Sequence, residues 1–190
     1  MFLNKKTMRM INNSFSFLFF KNYYYICIVK LIKNIFMEKQ IIFLCGIPAS
    51  GKSTYAKYFE NINQCVILSR DKIRREFNET LSEKEVSVVF NKRLSESLMN
   101  EQITTIIIDN TNVKALYIQN IISLCIFSKP DCRFYIKIFD TPFDECVRRN
   151  SNRMGIECVP HDVMKHMNIN FKAFMLNLNN FSKEYNITII

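Results

Sequence analysis

The stretch IIFLCGIPASGKST, Ile41–Thr54, decides the reading of this chain. Its first five residues form an unbroken apolar run, the pattern of a strand buried on both faces of a parallel sheet. Its remainder fits G-x-x-x-x-G-K-[ST] at every position: Gly46, Ile47, Pro48, Ala49, Ser50, Gly51, Lys52 and Ser53, followed by Thr54. The two glycines let the backbone curl so that its N–H groups converge on phosphate oxygens. The helix that follows adds the partial positive charge of its N-terminus. Lys52 suits the β and γ phosphates of a nucleoside triphosphate, with ATP expected, and Ser53 offers an oxygen to Mg2+. Strand, loop and helix in that order are the context that such a motif requires.

Outward from this stretch, strand and helix signals alternate. Apolar runs at 65–69, 104–110 and 133–140 read as three further strands, and 187–190 as a short fifth. Helices are expected over 52–60, 70–77, 82–100, 112–127, 142–150 and 160–178, the third opened by the capping box Ser82-x-x-Glu85. The alternation predicts an α/β fold of the P-loop NTPase type. It has three layers, a parallel sheet of four to five strands and helices on both faces, and in this it resembles the adenylate-kinase-like P-loop kinases.

The chain has 190 residues and a formal charge of +9, unevenly placed. Residues 1–36 hold six basic and no acidic side chains, whereas 37–190 hold 20 against 17, a net of +3. The basic excess is therefore mainly a property of the first 36 residues, and by itself argues little for nucleic acid binding by the remainder. That first segment is aromatic and basic, its uncharged runs are too short for a spanning helix, and it lacks a small-residue cleavage site. It reads as a non-catalytic extension, either an organelle-targeting segment or residues ahead of a functional start at Met37. Residues 37–190 read as one kinase-sized domain with no stable membrane association. Seven scattered cysteines without C-x-x-C spacing read as reduced thiols of an intracellular, cytoplasmic protein, with neither a disulfide framework nor a zinc site. His161 and His166, five apart, do not share a helical face and read as ordinary histidines.

Ligands of open parallel sheets sit beyond the carboxyl ends of the strands. Two carboxylates fall there. Asp109, ending the third strand, can hold a magnesium-bound water. Asp71, just past the second, can accept a proton from an attacking hydroxyl, and Arg74, three residues on, shares its helical face. The plain alternative for Asp71 is a helix cap, with Arg74 and Arg75 as solvated charges. Arg148, Arg149 and Arg153 precede or enter a Gly-containing loop, which suits a mobile lid that brings cations to a transferring phosphoryl group. Their plain alternative is favourable placement at a helix C-terminus.

Four stretches in this order, GIPASGKST, SRDKIRR, IIIDNTN and IFDTPFDECVRRNSNRMGIECVPHDVMKHM, resemble the kinase domain of phage-type polynucleotide 5′-hydroxyl kinases, a group of small P-loop kinases. The resemblance runs from Met37 to about Phe174. It implies that Lys52 and Ser53 hold the donor phosphates and the metal, and that Asp71 is the general base on a 5′-hydroxyl. It also implies that Arg74 binds the phosphate 3′ to that nucleoside, with Thr111 nearby, that Arg153 and Arg149 act from the lid, and that Val159 contacts the acceptor base. The sequence departs from the family pattern at Lys72, where a second acidic residue is common, and by one extra residue between Arg153 and Val159. The Asp109-Asn110 pair can align in two ways. The phosphatase domain often fused to such kinases is not expected in these 190 residues. The implied activity is transfer of the γ-phosphoryl of ATP to the 5′ end of RNA or DNA. A small-molecule kinase of the same fold, acting on a sugar, nucleoside or antibiotic, is the enzymatic alternative, and a non-catalytic ATP-binding module is the other.

Overall fold

The computed structural model describes residues 38–190. The readings made for residues 1–36 lie outside the described residues. Five strands form one wholly parallel sheet: β1 (Lys39–Cys45), β2 (Cys65–Leu68), β3 (Thr105–Ile108), β4 (Cys132–Ile138) and β5 (Ile187–Ile189). Their spatial order is β2-β3-β1-β4-β5, with β1 at the centre, paired to β3 on one side and β4 on the other. The helices are α1 (Lys52–Lys57), α2 (Arg70–Glu76), α3 (Glu83–Met99), α4 (Ala115–Ser128), α5 (Phe143–Ser151) and α6 (His161–Glu184). The expected P-loop α/β architecture is thus present, with the fifth strand included.

Strand alternation sorts β1 between two cores. Ile41, Phe43 and Cys45 pack into the larger core, with Phe90 and Leu94 of α3, Ile118 and Ile122 of α4, and Phe174 and Leu178 of α6. Ile42 and Leu44 point the other way, under Ala56, Tyr55 and Phe59 of α1 and its exit. Two-sided burial is why β1 reads as a continuous apolar run rather than an alternating one.

Lys39 opens β1 yet is buried. Its ammonium donates to the carbonyls of Ser97, Asn100 and Ile103, which are the end of α3 and the turn after it. A cation on the free carbonyls of a helix C-terminus satisfies acceptors that would otherwise lack donors. Burial nevertheless holds its pKa below the usual lysine value.

The starts of α4, α5 and α6 differ from the sequence reading. The fourth helix begins at Ala115 rather than Asn112, because Asn112 adopts a left-handed backbone (φ 47°) and its side chain is committed elsewhere. Pro142 and Pro160 stand just before α5 and α6, not within the first turn, since both are in the extended region at ψ near 140°. The capping box forms as expected: Ser82 Oγ accepts from Glu85 N–H, and Glu85 Oε2 accepts from Ser82 N–H. The cysteines among the described residues are free thiols. None of the helices among the described residues is long and apolar enough to cross a membrane.

Candidate active site

The carboxyl ends of β1, β2 and β3 open into one cleft of about 1720 Å3. Of the residues singled out from sequence, Pro48, Ala49, Gly51, Lys52, Ser53, Thr54, Asp71, Arg74, Asp109, Thr111, Arg149, Arg153 and Val159 all line it. Gly46, Ile47 and Ser50 do not line the cleft and instead form the base of the loop; Ile47 and Ser50 are buried.

The loop's shape follows from its residues. Gly51 has φ 103°, which only glycine adopts without strain, and Ala49 sits at φ 63°. A Cβ on Gly46 would lie 2.7 Å from Ser50 Oγ and 2.8 Å from the Phe139 carbonyl oxygen. Gly46 N–H donates to the Thr111 carbonyl at 3.0 Å, and Thr141 Oγ1 donates to the Ser50 carbonyl at 3.0 Å. The loop is therefore held from the strand ends on either side of β1. Lys52 reaches back across it to donate to the Ile47 carbonyl at 2.7 Å. Burial pushes the Lys52 ammonium down to about 8, opposed by the charge of Asp109.

The segment Asp109-Asn110-Thr111-Asn112 distributes four tasks. Asp109 is 7% exposed and faces the loop, its pKa raised by burial and pulled back by the Ser53 hydroxyl and Lys52. Asn110 Oδ1 accepts from the N–H of Arg70, fixing the start of α2. The Thr111 carbonyl holds Gly46. Asn112 is 3% exposed, and its amide donates to the carbonyls of Leu44, at 2.9 Å, and Ile108, at 3.0 Å. Cys45 Sγ in turn donates to the Asn112 carbonyl at 3.1 Å. Asn112 thus staples the ends of β1 and β3, at the point where strand order reverses. Its sequence signal, an Asn just past a strand, is shared by countless turns and did not single it out.

Ser69, not Asp71, caps α2: its hydroxyl accepts from Lys72 N–H. Asp71 is thereby released from the capping role, and its side chain is 74% exposed in the cleft. Arg74 Nη1 donates to Asp71 Oδ1 at 2.5 Å. The opposite edge of the same guanidinium forks onto Glu83, with Nε to Oε1 at 3.0 Å and Nη2 to Oε2 at 2.9 Å. A bidentate carboxylate fixes the plane of an arginine. Glu83 was not foreseen, since sequence reading used the first turn of α3 only for its cap.

On the facing side, Glu145 accepts from both Arg148 and Arg149, at 2.7 Å each, which holds its carboxyl down at about 2. Arg153, beyond the end of α5, reaches the Glu157 carbonyl at 3.5 Å. The loop from Asn152 to Pro160 is closed at its base by Asn150, whose amide both donates to the Val159 carbonyl, at 2.8 Å, and accepts its N–H, at 3.0 Å. Arg75 of α2 meets Glu157 of this loop at 3.1 Å.

The cleft suits a magnesium-bound triphosphate. Ser53 and Asp109 adjoin, and among the described residues no cluster of three or more His, Cys, Asp or Glu offers a protein-only metal cage. Mg2+ typically keeps one or two protein ligands and takes the rest from water and phosphate oxygens, so this donor set fits it. Known proteins agree with the fold. A solved structure described as the Pnkp1/Rnl/Hen1 RNA repair complex superimposes with a TM-score of 0.60 at 21% identity, covering 74% of this chain and 46% of that one. A second, of a Pnkp1/Rnl/Hen1 complex, gives a TM-score of 0.50 at 27% identity, covering 66% and 44%. The chain thus spans less than half the length of the chains it matches. Residues 41–174 match the AAA domain family, and the chain, a kinase-type P-loop domain, belongs to that family.

Proposed function

We propose that this protein transfers the γ-phosphoryl group of ATP to a 5′-hydroxyl end of RNA or DNA. The observation that carries the reading is the pairing of an exposed carboxylate, Asp71, with a planar-locked arginine, Arg74, in the cleft that also holds Lys52 and Asp109. The likeness to structures whose descriptions name RNA repair supports it. The backbone amides of Gly46–Thr54 and the Lys52 ammonium bind the donor phosphates. Ser53 and Asp109 would hold Mg2+, which would supply charge neutralisation at the donor phosphates. Asp71 orients the 5′-hydroxyl and accepts its proton. Arg74 binds the phosphate 3′ to that hydroxyl, an anion that a polynucleotide has and an unphosphorylated sugar or nucleoside lacks. Thr111 lines the same corner, and Val159 contacts the acceptor base. Arg149, in the last turns of α5, and Arg153, in the loop after it, act on the transferring group. For a loose phosphoryl transition state, positioning and charge neutralisation of this kind supply most of the catalysis.

The test is transfer of label from γ-labelled ATP, with Mg2+, by the full chain. Acceptors are 5′-hydroxyl oligonucleotides beside sugars, nucleosides and aminoglycosides. Labelled oligonucleotide 5′ ends are expected. Labelling confined to the small acceptors, or of none, overturns the proposal.

A further inference from the structure

Glu157 touches two parts of the cleft that belong to different elements. Its carboxylate accepts from Arg75 Nη1 at 3.1 Å, and its main-chain carbonyl accepts from Arg153 Nη1 over a longer 3.5 Å. Arg75 follows Arg74 on α2, where Asp71, Arg74 and Arg75 stand at i, i+3 and i+4. Arg153 belongs to the loop after α5. Arg75 and Glu157 are 82 residues apart in sequence, and both line the cleft. Through Glu157, the helix that carries the acceptor groups is connected to the arginine of the loop.

Base and tip of that loop are held differently. At the base, the Asn150 amide bonds both main-chain polar groups of Val159, and Val159 packs on the larger core. The tip is open: Met154 is 89% exposed, and a Cβ on Gly155 would meet no atom within 4 Å. Gly155–Glu157 form a single 3-10 turn, whose hydrogen-bond geometry is poorer than that of an α-helix. An arginine beside such a tip keeps much of its conformational freedom unless a polar contact selects one placement. The contact to Glu157 does so for Arg153, and Arg75 fixes Glu157 in turn. The side chains of Arg75 and Glu157 are 46% and 54% exposed, so their pair adds little to the stability of the fold. Its position between two elements of the cleft gives it a different use.

We propose, resting on the phosphotransfer reading above, that Arg75 and Glu157 are positioning residues for the reaction. Their ion pair sets the tip of the loop against α2. Arg153 then stands at the transferring phosphoryl group in the register in which Asp71 and Arg74 hold the acceptor. Neither Arg75 nor Glu157 touches the reacting atoms.

The experiment measures kcat, ATP KM and acceptor KM of the full chain and its variants with a 5′-hydroxyl oligonucleotide. Arg75→Ala and Glu157→Ala should each lower kcat by about two- to fivefold, the range of an exposed pair, with both KM values within about twofold of wild type. Two side chains that acted only through their charge on a polyanionic acceptor would instead have opposite effects, Arg75→Ala raising acceptor KM and Glu157→Ala lowering it. Arg75→Glu and Glu157→Arg should each be worse than alanine, and the double reversal should recover kcat to within about twofold of wild type. In an Arg153→Ala background, Arg75→Ala should cost nothing further. Both side chains are about half exposed, so these replacements do not threaten folding. Effects of opposite sign, failed recovery in the double reversal, or full additivity with Arg153→Ala overturn the positioning role and leave the 5′-kinase reading standing. Labelling confined to small acceptors overturns the polynucleotide reading alone, and the same variants then decide the positioning role on that acceptor. Absence of transfer to every acceptor overturns both.

Discussion

In the donor half of the cleft, Lys52, Asp109 and Asn112 are all less than a tenth exposed, and Lys52 and Asn112 are tied to main-chain atoms of the loop, β1 and β3. In the acceptor half, Asp71, Arg74, Glu83, Arg149 and Glu145 are held to one another by ion pairs that face solvent. The contrast follows from chemistry. A triphosphate is the same molecule at every turnover, and a loop fixed by buried hydrogen bonds can be shaped to it beforehand. Exposed ion pairs are individually weak, so they can open and exchange partners, as the proposed acceptor phosphate would require. The molecule combines a rigid grip with a set of charged side chains that rearrange at little cost.

The largest effect expected from this contrast lies on the acceptor side. Asp71→Asn should lower kcat by about 100- to 10,000-fold, the range of a lost general base, while nucleotide affinity measured by titration stays near wild type. Comparable loss of both would mean that the two halves are not separable. On the donor side the damage should appear as instability. Asn112→Ala leaves the Leu44 and Ile108 carbonyls buried without their donor, at a cost of about 1–3 kcal/mol and several degrees in Tm by calorimetry. An unchanged Tm would refute the staple between β1 and β3. Replacing Glu83 should act more gently. Glu83→Ala frees the Arg74 plane and should raise the acceptor KM several-fold with the ATP KM unmoved, and Glu83→Gln should recover part of it. A rise in the ATP KM instead would place Glu83 in the donor half.

The smallest effect is one of pH. The buried Lys52 has a pKa lowered to about 8, so below that value it is a cation that attracts phosphate and above it a neutral amine. ATP affinity should therefore weaken as pH rises through about 8, measured by titration calorimetry. The sign for stability is opposite. With a folded pKa of about 8 against an ordinary value of 10.5, the unfolded chain binds more protons between the two, so the ATP-free protein gains stability across that window as pH rises. Bound phosphate, by favouring the ammonium, should shift the loss of affinity to higher pH.

How far the sequence could be read depended on the distance between partners. The loop Gly46–Ser53, the Ser82–Glu85 cap and the Asp71–Arg74 pair each lie within a few residues, so local spacing encodes their geometry. The start of α4 was misplaced by three residues because Asn112 looks like a helix opener locally. Its side chain instead answers to Leu44, 68 residues away. Nothing local marks Lys39 for burial, which depends on carbonyls more than 55 residues ahead. Glu83 was visible only as part of a cap.

By itself, then, the sequence determined that β1 is buried on both faces, that a glycine-rich loop of the phosphate-binding pattern follows it, and that a carboxylate and an arginine share one turn of α2. These rest on periodicity and on backbone freedom at Gly46 and Gly51, properties that neighbouring residues impose on one another. The tertiary structure alone decided that β3 lies beside β1, and hence that Asn112 joins their ends. It also decided that α3 brings Glu83 onto Arg74 and that Arg75 meets Glu157 across 82 residues. The reason is physical: strand order and helix packing are set by the summed burial of the whole core, and no local pattern records which distant side chains that burial will bring together.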